Sequence, residues 1–233
     1  MAKLWVKTLN VTSNPSGAAS AARQGNIVII IDVIDMSTTA ELALEAGAID
    51  VYGASPKDIS VPVTVNPEKI GYIAAKKALK HESEVIIAAE PRIGKGEEER
   101  KDNSYQVIKG IKRAGGKLDR IIPNAGKDIA DLANFEDKVL IIVSSAGGVA
   151  FDAAYNYGAP EVITGTIART KEMKGSKPAF EAAKRAIEKA SKYRCGITVV
   201  ASSSNSMEDV LAADFIAQKI LDNDFLQIDV EKE

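Results

Sequence analysis

The chain has 233 residues, enough for one large α/β domain or two small ones with a substantial core. Hydrophobic residues make up 45% and charged ones 27%, an ordinary soluble composition. Lys plus Arg is 30 against 32 Asp plus Glu, so the net charge of −2 gives no electrostatic case for a nucleic-acid or acidic-membrane partner.

In chain order, apolar β-branched runs recur at 4–9, 26–33, 49–53, 60–65, 84–90, 118–123, 138–145, 161–167 and 196–203. Several are apolar nearly throughout, as strands buried on both faces of a parallel sheet are. Between them lie Ala-rich helical patterns such as "TTAELALEAGA", "PEKIGYIAAKKALKH", "KDIADLANF" and "KPAFEAAKRAIEKASKY". Gly47, Gly115 and Gly158 fall where helices should end. Strand alternating with helix predicts an α/β fold, three-layer α/β/α with a mostly parallel or mixed sheet. One domain over 1–233 is expected, with a two-lobe division, if there is one, near the charged stretch 94–104. That stretch reads as an ordinary solvated loop or as an active-site flap.

No signal-like segment or membrane-length apolar run stands in the sequence, so a cytoplasmic protein is expected. The single cysteine, Cys195, excludes an intramolecular disulfide framework. His81 is the only histidine and sits in "LKHESEV", which reads as an exposed helix end. A Cys–His or Ser–His machine and a histidine zinc site are therefore disfavoured.

Ligands of α/β folds bind at the carboxyl ends of strands, and four such places carry chemistry. In "IIIDVIDMSTTAELALEAGA" Asp32 ends a buried run and is followed by Asp35, Ser37, Thr38 and Thr39. A carboxylate there suits Mg²⁺, a hard cation that takes oxygen donors. The segment "STTAE" reads as a capping box reaching Glu41, which leaves Asp32 for chemistry and the hydroxyls for a phosphate. In "IIAAEPRIG" Glu90 and Arg92 follow a strand, and an Arg there is a natural phosphate clamp. In "VLIIVSSAGGVAFDAA" Ser144 and Ser145 lead into the Gly147–Gly148 turn, whose backbone can approach an anion closely. In "ITVVASSSNSMEDVLAA" Glu208 and Asp209 open a helix, where the dipole favours acids and where they could complete a metal site with Asp32. Phosphatases of the haloacid-dehalogenase type carry D-x-D-x-T after the first strand, and the D-x-x-D spacing here does not fit them.

These segments, in this order over roughly residues 26 to 221, resemble the 2-phosphosulfolactate phosphatase (ComB) family of coenzyme M biosynthesis. That family's D-V-x-R-A-[ST]-T-T resembles the run Asp32 to Thr39, and its G-E-R resembles Ala89-Glu90-Pro91-Arg92. Its G-N-S-P resembles Pro123-Asn124-Ala125-Gly126, and its T-T-N-G-T resembles Ser144 to Gly148. Its [ST]-x-E-D-x-x-A-A-G resembles Ser206 to Asp214. The resemblance implies Mg²⁺-dependent hydrolysis of a small phosphorylated acid, with Asp32, Glu90 and Arg92 as catalytic residues and Asp32, Glu208 and Asp209 on the metal. Ser37, Thr38, Thr39, Asn124, Ser144, Ser145, Gly147 and Gly148 would hold the substrate. Partners would be that acid and at most a second copy of the chain as a homodimer. The chain departs from the family pattern at Asp35, where an Arg is expected, and at Ala146, where an Asn is. These departures keep open the alternative of a non-catalytic relative that binds a small ligand.

Overall fold

A computed structural model describes residues 6–92 and 96–226. The elements in order are β1 (Leu9–Ser13), α1 (Asn14–Arg23), β2 (Ile27–Ile31), α2 (Ser37–Glu45), β3 (Asp50–Ala54), α3 (Pro67–Lys80), β4 (Val85–Ala89), α4 (Glu97–Asn103), α5 (Tyr105–Arg113) and β5 (Leu118–Pro123). A 3-10 turn (Gly126–Asp131), β6 (Val139–Val143), α6 (Gly147–Asn156), β7 (Val162–Gly165), α7 (Lys177–Tyr193), β8 (Ile197–Ala201) and α8 (Met207–Asp222) complete them.

The α/β class and the parallel strands are as expected, and the strands divide into two sheets of four. One has the order β1-β8-β2-β7 and the other β3-β6-β4-β5. Every pairing between neighbouring strands is parallel. The runs that are apolar throughout, β2, β4, β6 and β8, are buried at every residue, and each lies inside its sheet. Helices α7 and α8 cover one face of the first sheet, against Ile27, Ile29 and Ile31. Val28 and Ile30 face the other way and join a cluster that runs through α2 and α6 to β4 and β6. Because α2 and α6 touch strands of both sheets, they form the layer between them. Helix α3 lies on the second sheet with α5 packed along it. Gly47, Gly115 and Gly158 do end helices, each at positive φ.

Several sequence expectations change. The strand expected at 4–9 is β1 at Leu9–Ser13; residues 4 and 5 lie outside the described residues. The run 60–65 forms no strand: Pro62 lacks an N–H, and Thr64 bonds through its backbone to the side chains of Asn156 and Tyr157 instead. The helix α1, in a Pro-, Gly- and Ser-containing stretch, has no counterpart among the expected elements; Pro15 sits in its first turn, where a missing N–H costs nothing. The helix expected at 127–135 shortens to the 3-10 turn. Of the charged stretch, residues 97–103 are α4 rather than a loop, with three acids in the first turn and two bases in the last. This stretch lies between the adjacent strands β4 and β5 of one sheet. Among the described residues no helix is long and apolar enough to cross a membrane.

Candidate active site

Strand register sets the chemistry in two rows. Ile31 is level with Ala201 and Gly165, so Asp32, Ser202 and Thr166 follow at the end of the first sheet. Ala54, Val143, Ala89 and Pro123 are level in the second, so Ser55, Ser144, Glu90 and Asn124 follow there. The two rows meet through the segment 32–39. Gly147 N–H, at the start of α6, donates to Asp32 Oδ2 at 2.7 Å. Asn124 donates to Asp35 O at 2.8 Å and accepts from Thr39 Oγ1 at 2.7 Å. Arg92 Nη2 donates to Ile34 O and to Asp35 Oδ1, both at 2.6 Å.

A cleft of about 370 Å³ opens at this junction, lined by Asp35, Glu90, Pro91, Arg92, Glu99 and Asn103. Glu90 and Arg92 are therefore brought together as expected. Glu99 and Asn103, outside the expected site residues, come from the charged stretch 94–104 through α4. Asn103 Nδ2 donates to Glu90 O at 3.1 Å, and Arg100 Nη1 donates to Pro91 O at 3.0 Å, which fixes α4 on the rim.

Asp32 is 3% exposed and lies behind the cleft rather than on its wall. Burial, then the charges of Asp35 and Asp209, push its carboxyl up to about 7, against the Gly147 and Asp35 N–H groups that favour the charged form. Glu90 is half-buried on the wall, and burial and the Asp35 charge raise it too. Ser145 Oγ donates to Glu90 Oε2 at 3.4 Å.

The residues expected to hold a phosphate are already engaged. Ser37 Oγ accepts from Asp32 N–H (2.9 Å) and donates to Ile30 O (3.1 Å). Thr38 Oγ1 donates to Val33 O at 2.6 Å and lies 3.2 Å from Thr166 Oγ1. All three hydroxyl residues are buried, so they hold the strand-to-helix turn together. The capping box is absent: Met36 is the N-cap of α2, no side chain caps it, and Glu41 is instead buried and paired with Arg185 at 2.5 Å. Gly147 N–H serves Asp32, and Gly148 N–H donates to Ser144 Oγ at 2.8 Å. The anion at the start of α6 is thus the protein's own Asp32.

The acidic trio expected on Mg²⁺ does not fit that role. Asp209 Oδ1 accepts from Val33 N–H and Oδ2 from Ser202 Oγ, both at 2.9 Å. Glu208 is exposed one residue earlier on α8. Among the described residues no three acidic, His or Cys groups lie together as a metal-holding set.

Gly147 is required by closeness. A Cβ there would clash with Asp32 Oδ2 and lie 2.8 Å from Met36 Cβ. Gly147→Ala is expected to lower unfolding free energy by about 1–3 kcal/mol through this overpacking. A urea-unfolding midpoint equal to wild type would refute the close contact. Compared with known protein families, with curated proteins and with solved structures, the chain matches none.

Proposed function

We propose that this protein is a hydrolase of small phosphorylated acids that works in the Glu90–Arg92 cleft. The observation that carries the reading is a raised carboxyl, Glu90, beside a guanidinium at the meeting point of two rows of strand ends. Arg92 uses Nη2 on Ile34 and Asp35, which leaves its Nη1 and Nε N–H groups to donate to a phosphate. Protonated Glu90 would donate to the leaving alcohol oxygen as the P–O bond breaks, and water adding at phosphorus returns a proton to it. The products are the alcohol and inorganic phosphate. Asp32 and Asn124 act as positioning residues that hold the 32–39 segment and, through it, Asp35. The resemblance to 2-phosphosulfolactate phosphatases supports the substrate class.

The test is phosphate release from a panel of phosphorylated C3 acids, with and without Mg²⁺, since the resemblance implies that ion. Release from no member of the panel under either condition would overturn the reading. A second reading, a non-catalytic ligand binder, is favoured by the occupied N–H groups of Gly147 and Gly148 and the buried hydroxyls at 37–39. Ligand-induced thermal stabilisation without phosphate release would select it.

Asp35 sets the affinity in this cleft. Its carboxylate neutralises Arg92 at 2.6 Å and raises both Glu90 and Asp32. Asp35→Asn is expected to lower KM for an anionic substrate by roughly fivefold to tenfold, the worth of one partly exposed ion pair. It should also move the pH–rate profile to lower pH, because Glu90 loses a neighbouring negative charge. An unmoved profile together with an unchanged KM would remove Asp35 from the site.

A further inference from the structure

A second cavity, of about 230 Å³, is lined by Leu42, Lys127, Arg169, Thr170, Lys171 and Lys174. It brings four cations together around one hollow in a chain whose net charge is −2. All four are exposed. None forms an ion pair among the described residues, whereas eleven other pairs do form. Four like charges held around one hollow repel one another, and fold stability does not ask for them.

The wall is built without them. Thr170 N–H donates to Met173 O at 2.9 Å, and Met173 N–H donates to Thr170 Oγ1 at 3.0 Å. Thr170 Oγ1 donates in turn to Glu45 Oε1 of α2. Earlier in the same β7–α7 connection, Thr166 is tied to Thr38. Threonine hydroxyls thus fasten this connection to α2 on both sides of Arg169 and leave Arg169, Lys171 and Lys174 without an ion-pair partner around the hollow. Lys127 faces them from the 3-10 turn. The nearby acids Glu45, Asp128 and Glu172 are not on the lining and pair with none of the four.

We infer that this cavity is a binding site for a small multiply charged anion of the pyrophosphate class, distinct from the Glu90–Arg92 cleft. Four mobile-stemmed cations around a threonine suit several oxyanion oxygens at once, and the volume admits a compact ligand rather than a polymer. The site stands next to the cleft, because the turn that carries Lys127 begins at Gly126, beside Arg92 and Ile34 O.

The probe is inorganic pyrophosphate, titrated calorimetrically at fixed ionic strength without divalent cations. Wild type is expected to bind saturably. Lys171→Gln/Lys174→Gln should weaken binding by roughly tenfold or more, the loss of two charge-assisted contacts. Arg92→Gln, in the cleft, should leave it unchanged, as should Lys80→Gln/Lys112→Gln, which removes two exposed lysines elsewhere. Saturable binding lost only with Lys171 and Lys174 supports the site. The inference is overturned by no saturable heat in wild type, by loss in Arg92→Gln, by equal loss in the control pair, or by binding of a long polyanion such as heparin but not of pyrophosphate. None of these outcomes depends on phosphatase activity, so the cleft's proposed reaction stands or falls separately.

Discussion

Glu90→Gln is expected to reduce turnover of a phosphorylated acid by roughly 10²- to 10⁴-fold while the protein stays folded. Glutamine keeps the shape of the side chain and can still accept the Ser145 hydroxyl, so the wall of the cleft is preserved. What it removes is the proton. Burial first, and the Asp35 charge second, hold the Glu90 carboxyl above the ordinary glutamate value, which extends its protonated range toward neutral pH. A general acid must be protonated to act, so the wild-type rate should fall as pH rises through this raised value. The variant should show a small residual rate without that limb. Measuring kcat and KM from pH 4 to 9 for both proteins separates the possibilities. If the loss falls on KM alone, Glu90 contacts the substrate without transferring a proton. A variant with wild-type kcat would remove Glu90 from the chemistry.

The fold was legible where burial is two-sided. A strand such as "IVIII" has no polar face, and a run of that length can hardly be anything but an interior parallel strand. Division into two sheets was not legible, because strand order is decided by pairing between distant segments, and both sheets present the same kind of run. The short element β1 was displaced because "LNVTS" mixes polar and apolar residues at a sheet edge, where one side is left unpaired.

The site was legible as a set of strand ends and poorly legible as a set of roles. Asp32 and the hydroxyls 37–39 look available in sequence, since a carboxylate and three hydroxyls after a strand suit a phosphate and its metal. Their commitment to backbone groups of Ile30, Val33 and Gly147 depends on neighbours up to 115 positions away. Glu90 and Arg92, which stand just past a strand, do line one cleft. Glu99 and Asn103 were concealed in a stretch of seven helical residues whose charges read as solvated surface.

Asp32→Asn should change the dependence of stability on pH. The Asp32 carboxyl titrates near 7 in the folded protein against an ordinary value of 3.8. Between those values the folded state holds a proton that the unfolded chain releases. Stability from this group is therefore greatest below about pH 4 and is lost as pH rises toward 7, in the opposite sense to a carboxylate stabilised by a salt bridge. A shift of about three units corresponds to about 4 kcal/mol over the whole window. Asparagine is neutral throughout and escapes that loss. It also presents an N–H₂ to one of two N–H donors, Gly147 or Asp35, at a cost of roughly 1–3 kcal/mol that does not vary with pH. The informative quantity is thus the gap between the two proteins rather than either stability alone. Urea unfolding at pH 5 and pH 8 should show the gap moving in favour of Asp32→Asn by about 2–3 kcal/mol as pH rises. Parallel pH curves would mean that Asp32 is charged in the folded state at both values, and that the helix start at Gly147 stabilises its charge more than burial opposes it.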